Sequence, residues 1–361
     1  MIIYYSIVII LAVILAFCFI DVKGKVVYFL LSVLMFLLFA FTRSNVDIGA
    51  YILFYDSIHS ISDIGITDPG FGLLMLIAKE LGMNYYGFLG FLGFIGIGML
   101  ALIFYTHSQV PAIVLALYFI LDFSAEIIQI RAFIAEAIMY ILMLNLIERP
   151  RFSWVRFFIL LAIGMLFHST CVFFSLLLLP QIIKRRRTLL TVVGIMCLAV
   201  PMAIVFLRII PIPILREKLQ YYVTAQRSSI SIASILYVFL FLSITVFICH
   251  KTLGENDLQW QETLGKLLNI HIVSIIACVL LLYFSANFYR MLRTVLVVDT
   301  IVLGNYYYQT ERINKQTQGL WICGVFFGFI GYEIVLQQYY TIMIENSFFA
   351  WILGTRVHNL L

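Results

Sequence analysis

The residue with the clearest chemical requirement is Arg131, which lies in an apolar segment predicted to form a helix from Asp122 to Asn145. A charged side chain in such a helix costs about 2.5–3.5 kcal/mol on insertion scales, so it needs an anionic partner. Glu126 and Glu136 are each five residues away, which places them about 140° around the helix from the arginine. The partner must therefore be either a carboxylate from another segment or a phosphate of a lipid-linked substrate.

A second candidate is His168, near the middle of the apolar stretch between Arg156 and Lys184. Because both ends of this stretch are basic, two short helices that return to the same membrane side are favoured over one long helix. The histidine then lies at the turn, in a cavity open to the outside. A histidine in a membrane protein is often functional, and imidazole can act as a general base near neutral pH. The alternative is a side chain that only bonds to a neighbouring backbone carbonyl.

Arg290 and Arg293 are three residues apart and therefore share one helix face. Two guanidinium groups on one face can bind neighbouring phosphate oxygens in a forked geometry. The alternative is that both side chains extend toward lipid headgroups. Asp299 is nine residues from Arg290, on the opposite face, and cannot neutralise it.

The composition defines the environment in which these residues act. Of 361 residues, 63% are hydrophobic and only 11% are charged, and the mean hydropathy is +1.07. These values predict an all-α polytopic membrane protein. The six cysteines have no paired spacing, and Walker, Asp-x-Asp, His-Glu-x-x-His and Gly-x-Ser-x-Gly motifs are absent. We therefore expect no metal, no cofactor and no nucleic-acid partner.

The chain is predicted to form a single integral membrane domain over residues 1–361 with about twelve transmembrane segments. Three of the segments have only 13 to 15 residues, so some helices should be short or re-entrant. An external loop at 42–85 should carry two interfacial helices, one over Asp47 to Ile58 and one from Pro69 with Asp68 as its cap. A second external loop is predicted at 208–231. The predicted segments are 2–20, 26–41, 86–106, 110–122, 126–147, 154–167, 169–183, 188–207, 232–249, 267–285, 287–308 and 319–340.

The basic residues set the predicted orientation. Thirteen lysines and arginines fall in one set of alternate loops and seven in the other, so the richer side is cytoplasmic. Arg43, Arg131, His168, Arg290 and Arg293 then all lie near the outer membrane boundary. That is the level of a polyprenyl pyrophosphate head group, whose negative charge such cations would stabilise.

Glycines recur through Gly87 to Leu100, in the sequence GFLGFLGFIGIGML. Small residues in a membrane helix allow close approach of a neighbouring helix, so this face is predicted to pack against protein. A groove for a lipid tail is the alternative.

Several short motifs resemble the EpsG-like branch of the Wzy-type polysaccharide polymerases, which make O-antigen and exopolysaccharide. Arg43, Asp47 and Tyr51 in RSNVDIGAY resemble the family pattern after the second helix, and Asp68 begins a DPGF motif similar to its Glu-Pro-Gly-Phe. The remaining matches are QIRAFIA at 129–135, Phe-His-Ser at 167–169 and Tyr-Arg at 289–290.

The resemblance implies a GT-C-like membrane glycosyltransferase of the bacterial inner membrane, with its active site facing outward. Such an enzyme joins glycans carried on undecaprenyl pyrophosphate, using one lipid-linked glycan as donor and another as acceptor. A flippase and a chain-length regulator are the expected protein partners, and the bilayer surrounds the enzyme. The implied catalytic residues are His168, Arg131 and Asp47, and the implied substrate-binding residues are Arg43, Arg290, Arg293, Tyr51 and Asp68.

Two other functions remain open from the residues. A carrier that flips lipid-linked oligosaccharide would need polar groups reaching the cytoplasmic side and usually internal repeats, and neither is evident. An O-antigen-type ligase, which moves finished glycan onto another acceptor, would share the same chemistry.

Overall fold

The computed structural model describes residues 13–14, 16–18, 20–21, 23–43, 47–65, 68–207, 232–283 and 288–310. These residues are helical, with no strand among them, so the predicted all-α class is confirmed. Within this part of the chain three helices are long and apolar enough to cross a membrane: Tyr85–His107, Ile130–Glu148 and Leu258–Leu282. Shorter apolar helices accompany them. The predicted segment 319–340, the loop 208–231 and most of segment 2–20 lie outside the described residues.

The helices follow the apolar runs closely. Helix α8, for example, spans Trp154–Phe167, the predicted limits. The helices are α1 (Lys25–Ala40), α2 (Ile48–Ser57), α3 (Pro69–Glu80), α4 (Tyr85–His107), α5 (Pro111–Tyr118), α6 (Ser124–Ile128), α7 (Ile130–Glu148), α8 (Trp154–Phe167), α9 (Leu179–Ile182), α10 (Arg186–Leu207), α11 (Ile232–Gly254), α12 (Leu258–Tyr283) and α13 (Tyr289–Thr310). Short 3₁₀ helices occupy Ile61–Asp63 and Ser169–Leu178, and a π-helical turn occupies Phe119–Phe123.

The described chain forms two compact units. Unit 1 comprises the described residues of 13–141, 155–171 and 300–310, and unit 2 comprises the described residues of 142–154 and 172–299. The candidate residues of segment 42–85 belong to unit 1, as do Arg131 and His168. Arg290 and Arg293 belong to unit 2.

Helix α1 shows how this chain uses apolar surface on both helix faces. Tyr28, Leu31 and Met35 recur at helical spacing and are buried. The opposite face is equally apolar but exposed, with Val26 at 71% and Phe29 at 65% relative exposure. A helix that is apolar all round and only half covered by protein matches a lipid environment.

Gly93 and Gly96 of α4 contact side chains of neighbouring helices, which confirms the predicted packing face. A methyl group at Gly93 would lie 2.8 Å from the ring of Phe39, and one at Gly96 would collide with the ring of Phe133. The two phenylalanine rings stack on each other with centroids 4.9 Å apart. The glycines therefore make room for a stacked aromatic pair from α1 and α7.

The segment around Arg131 is not one continuous helix, so the prediction of a single helix from Asp122 to Asn145 is wrong. A π-helical turn and the short helix α6 precede Gln129, whose backbone (φ −100°, ψ 52°) interrupts the helix. Helix α7 starts at Ile130, so Arg131 lies in its first turn. The apolar pattern continues across the break, and neither Pro nor Gly marks it.

A buried polar chain joins three helices of unit 2 near their midpoints. His271 Nε2 of α12 lies 2.8 Å from Asp299 Oδ1 of α13, and His271 Nδ1 lies 2.8 Å from Thr245 Oγ1 of α11. The ring of Phe241 stacks on the imidazole at 4.5 Å. Because His271 is 0% and Asp299 2% exposed, each depends on the other for a partner in an apolar interior.

The glycine face gives a first prediction. Gly96→Ala should lower the free energy of unfolding by about 1–3 kcal/mol, because the new methyl group displaces Phe133 from its stacked position. Gly98→Ala is the matched control on the same helix, since a methyl group there has no neighbour within 4 Å. Its effect should be neutral or stabilising by up to about 1 kcal/mol, from helix propensity. Thermal unfolding of the detergent-purified variants measures both; equal melting temperatures would contradict the packing role.

The polar chain gives a second prediction. Asp299→Leu or His271→Leu alone should destabilise unit 2 by about 3–5 kcal/mol, because each leaves a buried polar partner uncompensated. The double variant should recover much of this loss, since two apolar side chains need no partner. Unfolding of the four proteins in a double-mutant cycle measures the coupling, and strictly additive losses would disprove it.

Candidate functional site

The centre of the candidate site is Asp68, which precedes α3 in an unusual backbone conformation. Its φ of 60° and ψ of 49° lie in the left-handed region, and it is the one non-glycine residue with positive φ among the described residues. Aspartate tolerates this region better than most residues, although the conformation still carries strain. Strain of this kind persists where surrounding contacts hold the residue in place.

Those contacts come from two distant segments of unit 1. Asp68 Oδ2 accepts a hydrogen bond from Arg131 Nη1 at 3.0 Å, and Oδ1 accepts one from the Ser169 amide at 3.0 Å. His168 Nδ1 lies 3.9 Å from Asp68 Oδ1, beyond hydrogen-bond length but within electrostatic range. The Asp68 side chain is 5% exposed, whereas His168 is 12% and Arg131 is 42% exposed.

The predicted capping role of Asp68 is wrong in its target. The residue occupies the position before α3, but its side chain makes no capping bond to that helix. It accepts from Ser169 instead, at the start of the 3₁₀ helix Ser169–Leu178. The carboxylate therefore links the start of α3 to the residues after α8 through a hydrogen bond.

The DPGF sequence makes this contact possible. Pro69 suits the first helical position because its missing N–H would have no intrahelical partner. A methyl group at Gly70 would lie 3.0 Å from the Leu166 carbonyl oxygen, so glycine allows α3 to reach the end of α8. Phe71 is 1% exposed and packs edge-on against Phe88. Each residue of the motif thus helps bring Asp68 to His168.

Several groups act on the pKa of the Asp68 carboxyl. Burial alone raises it, because the charged form loses hydration, but interactions with His168, the Ser169 amide and Arg131 together outweigh burial and lower the pKa below its ordinary value. Asp68 is therefore an anion at neutral pH and a constant counter-charge for Arg131.

Arg131 retains capacity for a second anion. Its guanidinium lies 5.8 Å from the ring centroid of Tyr51, in cation–π range. Its Nε is buried and has no hydrogen-bond partner among the described residues. Since 42% of the side chain is exposed, the guanidinium can still bind an oxyanion. The first turn of α7 adds the positive end of a helix dipole.

His168 lies where the helix breaks between α8 and the 3₁₀ helix, as predicted. The backbone N–H of His168 donates to the Gly164 carbonyl at 2.9 Å, and the His168 backbone carbonyl accepts from the Cys171 amide at 3.0 Å. A proton on Nδ1 would face the Asp68 carboxylate at 3.9 Å, and the imidazole lone pair would then lie on Nε2.

The other predicted residues of the external segment lie at helix ends. Arg43 Nη1 donates to the carbonyls of Ala40 and Thr42 at 3.4 and 3.3 Å, and the guanidinium lies 4.2 Å from the ring centroid of Tyr86. Asp47 precedes α2, and its carbonyl accepts from the Tyr51 amide at 3.1 Å. Asp47 thus begins the helix that carries Tyr51 to Arg131.

Arg290 and Arg293 occupy the first turns of α13 in unit 2. Arg293 is 1% exposed, which excludes the alternative that it extends toward lipid headgroups, whereas Arg290 is half-buried. Asp299 pairs with His271, in agreement with the prediction that it does not neutralise Arg290. The convergence of these arginines with Arg131 stays a prediction.

Sequence reasoning missed a cluster of three buried carboxylates in unit 1. One oxygen from each of Asp122, Glu126 and Glu136 lies within 4.8 Å of the others, and Tyr140 donates to Asp122 at 2.9 Å. Oxygen ligands of this kind can hold a hard cation. Three acidic residues in one apolar segment are the signal in the sequence that points to this cluster.

The comparison with known proteins agrees with these features. The EpsG family model matches residues 25–349, and the chain therefore belongs to the EpsG family. This bacterial family indicates a membrane protein of the polysaccharide-polymerase type with glycosyltransferase-like activity. No curated protein and no solved structure matches the chain.

The close approach at Gly70 gives a third prediction. Gly70→Val should destabilise unit 1 by about 1–3 kcal/mol, because the branched side chain meets the Leu166 backbone and separates Asp68 from Ser169. Gly49→Val is the matched control, since Gly49 is exposed on α2 and a methyl group there has no neighbour within 4 Å. Melting temperatures of both variants test the contact; equal values would show that α3 does not depend on it.

Proposed function

We propose that this protein is a Wzy-type polymerase that joins undecaprenyl-pyrophosphate-linked oligosaccharide repeat units at the outer face of the bacterial plasma membrane. The observation that carries the proposal is the Arg131 side chain, which is 42% exposed and is held by buried Asp68 beside His168. Membership of the EpsG family supports the same class of reaction.

The reaction needs two protein functions. A hydroxyl of the acceptor sugar attacks the anomeric carbon of the donor, and the bond from that carbon to the pyrophosphate oxygen breaks. The leaving group keeps the electron pair, so negative charge grows on the pyrophosphate, and the hydroxyl proton must go to a base. The products are an elongated lipid-linked glycan and free undecaprenyl pyrophosphate.

Arg131 fits the leaving group. An exposed guanidinium in a site partly shielded from water stabilises developing phosphate charge more strongly than it would in bulk solvent. Its planar group can also bind two phosphate oxygens at once. Arg290 is proposed to bind the remaining phosphate oxygens, with Arg43 as a further cation, and Arg293, which is 1% exposed, is proposed to support them from the protein interior.

His168 fits the base. With a proton on Nδ1, its Nε2 can accept the acceptor hydroxyl proton, and Asp68 stabilises the imidazolium that forms. Asp47 is the alternative base, and Tyr51 beside Arg131 is proposed to contact substrate. The proposed mechanism uses no metal ion and no nucleotide.

The membrane arrangement is part of the proposal. We infer one integral membrane domain of GT-C-like type with about twelve transmembrane segments, some short or re-entrant. Residues 42–85 and 208–231 then face outward, and a flippase would supply the substrates from the cytoplasmic side. A chain-length regulator would limit elongation.

Reconstitution of the purified protein with lipid-linked repeat units gives a fourth prediction. Wild type should produce a ladder of polymer, whereas Arg131→Ala and His168→Ala should leave single repeat units, with elongation reduced by about 100-fold or more. Arg131→Lys should recover only part of the activity, because lysine keeps the charge but not the fork.

Arg187→Ala is the control for lost positive charge, because Arg187 is exposed near the start of α10 and is predicted to be cytoplasmic. It should elongate glycan like wild type. Transfer of repeat units across the bilayer without elongation would favour a carrier. Full-length polymer from Arg131→Ala would remove Arg131 from the mechanism.

A further inference from the structure

The Asp68 carboxylate already uses both of its oxygens within the protein. Oδ2 accepts from Arg131 of α7 and Oδ1 accepts from the Ser169 amide, each at 3.0 Å. The side chain is 5% exposed. A carboxylate held in this way offers little surface to a glycan hydroxyl, although the family resemblance suggests a substrate-binding role.

We propose that Asp68 is a positioning residue that fixes the Arg131 guanidinium and the His168–Ser169 turn in one geometry. This inference rests on the proposed function, because it states how the two working groups of that reaction are held. In the proposed reaction, Asp68 contacts neither the sugar nor the pyrophosphate.

The geometry explains why a charged side chain is needed at this position. Two hydrogen bonds at right length from one carboxylate link α7 to the turn after α8, and the linkage starts from a left-handed residue that Gly70 brings close to Leu166. A charge-assisted bond to an arginine is shorter and stronger than a neutral one. Loss of the charge would therefore loosen Arg131 and the turn together.

The carboxylate also acts on His168 through space. Its Oδ1 lies 3.9 Å from His168 Nδ1, within electrostatic range. The Arg131 guanidinium lies 5.8 Å from the ring centroid of Tyr51, and Cys171 of the 3₁₀ helix interacts electrostatically with both Glu136 and Asp68.

The test compares Asp68→Asn, which keeps the shape and loses the charge, with Asp68→Glu, which keeps the charge. Elongation rates are measured against the concentration of lipid-linked repeat unit. Asp68→Asn should lower kcat by about 10- to 100-fold while KM changes little, as for loss of a supporting group.

The conservative variant should rescue the effect in part. Asp68→Glu should retain a larger kcat than Asp68→Asn, since a carboxylate still faces His168 and Arg131. A raised KM with unchanged kcat in either variant would overturn the proposal in favour of substrate binding. An unchanged kcat in Asp68→Asn would overturn it as well. If Asp68→Asn does not fold, the kcat and KM of Asp68→Glu decide.

A second measurement separates this inference from the proposed function. Diethyl pyrocarbonate modifies imidazole, and mass spectrometry of the peptide that contains His168 gives the rate of its modification without any glycan substrate. At one fixed pH this modification should be faster in Asp68→Asn than in wild type, because loss of the bond to Ser169 loosens the turn around a side chain that is 12% exposed, and equal rates would disprove the positioning role. A wild-type protein that does not elongate glycan, with an Asp68→Asn variant that is modified faster, would disprove only the proposed function.

Discussion

The ion pair between Arg131 and Asp68 is the interaction on which the candidate site depends. A guanidinium at the start of an apolar helix requires a counter-charge, and Asp68, from the segment between α1 and α4, supplies it at 3.0 Å. Because Asp68 is buried and Arg131 is partly exposed, the pair neutralises the arginine on one side and leaves the other side accessible. The same group can therefore stabilise the fold and bind an anion.

The Arg131–Asp68 ion pair gives the segment between α1 and α4 a structural role. Residues 68–71 form the start of α3, and their sequence allows the helix to approach the end of α8 closely enough to reach Ser169. Helix α2, which starts after Asp47, brings the ring of Tyr51 to the other side of Arg131. The segment between α1 and α4 is thus part of the site and not only a connection between membrane helices.

The same principle operates in unit 2 with different residues. His271 and Asp299 are both buried, and each satisfies the other while Thr245 binds the second imidazole nitrogen. Such pairs are expected wherever polar groups lie in an apolar interior, because an unpaired group costs several kcal/mol. Their presence on three neighbouring helices fixes the rotation of each helix about its own axis.

The sequence by itself determined the class of protein, the helical segments and much of the family assignment. Apolar runs fixed α1 and α8 to within a residue of the observed limits, because lipid-facing and protein-facing side chains are both apolar and only their ends are marked by polar residues. Short motifs around Asp68, Arg131 and His168 were sufficient to suggest the EpsG family. The roles proposed for these residues follow from the charge of their side chains, which the sequence alone gives.

Only the tertiary structure decided which charges meet. Asp68 was predicted to cap α3, yet its oxygens bind Arg131 and Ser169, because contacts between distant segments replaced the local bond. The break at Gln129 carries no proline or glycine, and the burial of Arg293 depends on helix rotation, so neither follows from periodicity. Pairing across segments depends on three-dimensional approach, which spacing along one chain does not specify.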